Sequence, residues 1–135
     1  DAKSKDILRG LLEQLFHMME VFPGVFSVGR IVDPIRNKAW MINPSGKILE
    51  NKCYGFWSRK QSCDTCIAHI ALNENKVFMK LDRRSDSLFF VLATPITIGE
   101  TRVVLELMMK TEDNFFNCAT IDKSDDITAE ALPNG

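Results

Sequence analysis

A chain of 135 residues, 45% apolar and 26% charged, has enough material for one hydrophobic core and too little for two comfortable ones. A formal net charge of -1 gives no electrostatic reason to expect nucleic acid or an acidic membrane as a partner. No apolar run approaches the roughly 20 residues that span a bilayer, and the opening "DAKSKD" lacks the layout of a signal peptide, so this fragment is expected to make no membrane contact.

From Ser4 to Phe22, Ile7, Leu8, Leu11, Leu12, Leu15, Phe16 and Met19 recur at helical spacing, with Asp6, Arg9, Glu13, His17 and Glu20 opposite them. The spacing predicts an amphipathic helix, capped by Ser4 or Asp6 and ended by Pro23-Gly24. Its apolar stripe serves either its own domain or the same helix of a second copy. "VFSVGRIVD" (25–33) and "KAWMIN" (38–43), parted by "PIRN", read as a hairpin. "ILENKCYGFWSRKQSC" shows neither a long alternation nor a helical period, and short helical turns and loop are expected there.

Asp64 is placed to cap a helix of about three turns through "TCIAHIALNEN", stopped at Asn75. Beyond it Val77, Met79 and Leu81 alternate with Phe78, Lys80 and Asp82, predicting a half-buried strand. "SLFFVLATPITI" is a long strand with Pro95 at an edge or bulge position, and Val103, Leu105, Leu107 and Met109 mark the last strand. After Lys110 the chain turns polar and aperiodic, apart from Phe115 and Phe116, which need cover from the sheet or a second copy.

The order predicts an α+β domain: a five-stranded antiparallel sheet with helices on one face, plus the N-terminal amphipathic helix. The divisions are 1–24 for that helix, 25–111 for the sheet domain and 112–135 for a linker or tail. A cavity between sheet and helices is expected, the kind of place where small molecules bind.

"RIVDPIRNK", "CYGFW" with "SCDTCIAHIALNENKVFMKL", then "LATPITI" and "VVLELM" together resemble the PAS sensory domain, more narrowly those ahead of diguanylate cyclase (GGDEF) domains in anaerobic Firmicutes. The resemblance spans about residues 25 to 110. It implies a sensory, regulatory domain of a cytoplasmic bacterial signalling protein that binds a ligand or cofactor, forms a homodimer and controls a covalently linked output domain, a diguanylate cyclase making cyclic di-GMP. The last strand here runs into "MMKTED" where PAS domains commonly carry Asp-aliphatic-Thr.

Cys53, Cys63 and Cys66 are the candidate metal ligands, because two soft donors at i, i+3 beside a third, with His69 three residues on, match the donor count of zinc or of a cluster held by three thiolates. An iron-sulfur cluster and zinc are therefore both weighed as cofactors, against thiols that only fill core and against a reversible disulfide. Cys118 is a distant outsider. Tyr54, Phe56, Trp57 and His69 are the candidate cofactor-binding residues; the aromatics equally suit packing between the helical middle and the sheet. Arg59, Lys60, Arg83 and Arg84 read as solvated loop charges. No phosphate loop, nucleophile elbow or helical zinc motif is present, so the fragment is not read as an enzyme. A dimerisation module without ligand and a thiol-redox protein are the alternatives.

Overall fold

Helix α1 (Ala2–Val21) forms where the apolar spacing predicts it and begins before either proposed cap, so Ser4 and Asp6 lie inside it. Pro23 stops it, after Phe22 N–H donates a last bond to Met18 O at 3.0 Å. The structure is a computed structural model and describes residues 2–57 and 66–111. The expected tail, with Phe115, Phe116 and Cys118, lies outside those residues, as do Arg59, Lys60, Cys63 and Asp64.

The hairpin joins β1 (Val28–Asp33) to β2 (Lys38–Ile42). Asp33 makes the turn: Oδ1 accepts the N–H groups of Ile35 and Arg36, each at 3.1 Å, and Asn37 closes it at φ 57°. A third strand follows, β3 (Ile48–Lys52), paired to β2 from Ile42–Ile48 to Lys38–Lys52. The expectation of five strands is thereby corrected to six. Only Ile48 is half-buried in β3, so "ILENK" carries almost no apolar alternation; backbone pairing and the Trp40 Nε1 bond to Glu50 Oε1 at 2.8 Å hold it instead.

Cys53–Trp57 winds into one 3-10 segment, and α2 (Ile67–Glu74) follows. Cys66 rather than Asp64 is the N-cap residue, which shortens the helix to about two turns. Asn75 ends it in the left-handed region at φ 54°, and Arg102 Nη2 donates to both Leu72 O, at 3.0 Å, and Asn75 Oδ1, at 2.9 Å. The meander β4 (Phe78–Arg84), β5 (Ser87–Ile98) and β6 (Thr101–Lys110) completes a sheet of order β3-β2-β1-β6-β5-β4, antiparallel throughout. Pro95 sits past the end of β4, where only β6 flanks β5, so its missing N–H takes nothing from a β4 ladder.

Strand alternation divides the core between the two faces. Ile31, Ile98 and Val103 pack with Leu12 of α1, while Val32, Val91, Ala93, Val104 and Met108 pack with the 3-10 segment and α2. The middle helical elements thus share one face, as expected, and α1 covers the other. β4 is half-buried, as expected, and its apolar set is the uncovered one: Val77, just before the strand, Met79 and Leu81 are exposed, whereas Phe78 packs into the α2 core and its same-face neighbours Lys80 and Asp82 pair at 2.8 Å. The mutual neutralisation of Lys80 and Asp82 is what lets a charged set point inward.

Candidate functional site

In β1 the alternation sends Gly29 and Ile31 toward α1 and Val28, Arg30 and Val32 toward the 3-10 segment. In β6 it sends Val104, Glu106 and Met108 the same way, and the β1–β6 register sets Arg30 opposite Glu106. Arg30 Nε donates to Glu106 Oε1 at 2.8 Å, with side chains 3% and 4% exposed. Nη1 donates to the Cys53 carbonyl at 2.9 Å, tying the strand to the start of the 3-10 segment. Two of the five guanidinium N–H groups are used in this way, and the others make no hydrogen bond among the described residues. Taking two ions out of water costs several kcal/mol each, so the pair is tolerated only because its geometry is good.

The aromatic residues of "CYGFW" close over this pair. Trp57 is buried, Phe56 meets it edge to face at 4.9 Å between centroids, and Phe89 of β5 completes the group at 5.7 Å from Phe56 and 6.2 Å from Trp57. The Arg30 guanidinium carbon stands 5.3 Å from the centre of the Phe56 ring, and that of Arg84 stands 4.3 Å from it.

Two spaces adjoin the ion pair. One is a cavity of about 20 Å³, the size of a single water, lined by Cys53, Tyr54, Trp57, Cys66 and His69 above Glu106. Three of the four residues expected to contact a cofactor, Tyr54, Trp57 and His69, therefore meet at one place, together with two of the three expected metal ligands. Phe56, the fourth, faces the other space, a groove of about 510 Å³ between the 3-10 segment and β1–β3 that is also lined by Arg30, Met41 and Arg84.

Lining one cavity is not convergence on one point. Cys53 Sγ lies 3.8 Å from Asn37 Oδ1, and among the described residues no three His, Cys, Asp or Glu side chains come close enough to hold a metal ion. The metal arrangement needs Cys63, which lies outside the described residues. His17 is exposed on the polar face of α1, as expected. No helix among the described residues is long and apolar enough to cross a membrane.

Arg84, read from the sequence as a solvated loop charge, instead ends β4 with its guanidinium over the Phe56 ring. Arg30 and Glu106 are the residues that sequence reasoning passed over. The available signal was a lone charge inside each of two apolar runs, "VGRIVD" and "VVLELM". No family model, curated protein or solved structure matches this chain.

Proposed function

We propose that the chain is a sensory and regulatory domain of the PAS type, from a cytoplasmic bacterial signalling protein, and that it controls a linked output domain, a diguanylate cyclase. The observation that carries the reading is the buried Arg30–Glu106 pair. It lies where a helical connection crosses one face of a sheet whose hairpin and meander strands stand in the order β2-β1-β6-β5-β4. The pair touches a ligand-sized groove on that face, while the residues on either side of Arg30, Gly29 and Ile31, contact α1 on the other. A ligand that moves Arg30 thus acts on α1 through one strand, and α1 is the element that carries the change to a homodimer.

A fusion of residues 1–135 to a diguanylate cyclase catalytic domain tests this. Glu106→Gln and Gly29→Ala, each checked for folding by circular dichroism, are expected to change the rate of cyclic di-GMP synthesis. Equal rates from wild type and both folded variants refute the regulatory reading.

The ligand-free dimerisation module is kept as a second reading because Val21, Phe22 and Val25 stand 53%, 56% and 44% exposed around the end of α1, an apolar surface suited to a second copy. It predicts a dimer by light scattering and no small molecule that raises the melting temperature.

A further inference from the structure

We infer that the groove between the 3-10 segment and β1–β3 is a binding site for a small organic carboxylate with an apolar body; the inference rests on the sensory reading and gives its input a chemistry. The groove holds about 510 Å³, within the usual range for small-molecule sites. Val28, Ala39, Met41 and Phe56 supply apolar wall.

The charge on that wall has one sign. Arg30 and Arg84 line the groove, and among the described lining residues there is no carboxylate. Both guanidinium groups approach the same ring, Phe56, at 5.3 and 4.3 Å, which gathers two like charges in one place. Arg30 is balanced by Glu106, but Arg84 makes no ion pair among the described residues. Arg30, 97% buried as a residue, keeps three N–H groups without partners among the described residues. A buried planar donor with an unused edge, beside a second guanidinium and an aromatic face, suits a flat anion that accepts paired hydrogen bonds. An uncharged apolar molecule would fill the wall and leave these donors unmet. Free phosphate would meet the donors and leave the wall wet.

Calorimetric titration of the purified 135-residue chain with benzoate, benzyl alcohol and inorganic phosphate separates these cases. Benzoate is expected to bind, with the alcohol and phosphate weaker by roughly tenfold or more, the worth of one charge-assisted hydrogen bond or of the buried ring. Arg84 is exposed, so Arg84→Gln leaves the core intact; it is expected to weaken benzoate by a similar factor and to leave the alcohol unchanged. Equal binding of acid and alcohol, equal binding of phosphate and benzoate, no binding of benzoate, or an unaltered benzoate affinity in Arg84→Gln overturns the inference. If benzoate binds as expected while the cyclase fusion ignores the variants above, the sensory reading fails and the site stands.

Discussion

Arg30 and Glu106 are 76 residues apart in the chain and direct partners across β1 and β6, joined at 2.8 Å with both side chains almost wholly buried. Such a pair is a weak source of net stability, because desolvation offsets most of the attraction, but its halves depend strongly on each other. Glu106→Leu alone is expected to lower unfolding stability by about 3 to 5 kcal/mol, since it strands the guanidinium. The double replacement Arg30→Met with Glu106→Leu should recover most of that loss. Urea unfolding of wild type, Glu106→Leu, Arg30→Met and the double variant measures both. A double variant no better than Glu106→Leu would show that the Arg30 bond to the Cys53 carbonyl, rather than charge balance, dominates.

Gly29 gives α1 its close seat on the sheet. A Cβ built there would stand 2.8 Å from Leu15 Cδ2 and 2.9 Å from Leu15 Cγ, and Leu15 is itself buried against the strand. Gly29→Ala is expected to cost about 1 to 3 kcal/mol by overpacking. Trimming the opposing side chain in Gly29→Ala with Leu15→Ala should cost less than the sum of the two single changes, by thermal unfolding. Strict additivity would mean that the helix shifts freely on the sheet.

Arg102 holds the end of α2 by donating to Leu72 O and Asn75 Oδ1. Arg102→Ala is expected to cost about 1 kcal/mol and to raise amide exchange in the last turn of α2 before it does so in the strands. Asn75→Gly keeps the left-handed backbone and removes only the side-chain acceptor, so it should cost less than Arg102→Ala. The reverse ranking would assign the end of α2 to Asn75 alone.

Phe22, 56% exposed just past the last residue of α1, offers the simplest test of the dimer. Phe22→Glu is expected to convert a dimer into a monomer in light scattering without lowering the melting temperature of the monomer. A dimer that persists through the change would place the interface elsewhere.

Periodicity reveals α1, the hairpin and the meander, and for β2 the expected span of 38–43 differs from Lys38–Ile42 by one residue. It fails at β3, whose edge position asks only for backbone partners and leaves the side chains unpatterned. At β4 it reveals the half-buried strand but not its facing. A period of two reveals that faces alternate without revealing which is covered, and the covered face there belongs to Phe78, Lys80 and Asp82. Within the site, "CYGFW" announces packing because aromatic rings demand it wherever they fall. Arg30 and Glu106 do not announce each other, because their adjacency exists only once β1 and β6 have paired.

Both outer strands of this sheet bear their charges where a newcomer would have to meet them. β3 presents Glu50, Asn51 and Lys52 to solvent, and β4 turns Lys80 and Asp82 toward the covered face. A foreign strand pairing along the edge of β4 would have to set its own side chains beside this charged pair, and inward-pointing charge of this kind is a recognised bar to edge-to-edge aggregation. The arrangement that hides the facing of β4 from a reading of its apolar residues is thus also one that weighs against growth of the sheet at that edge.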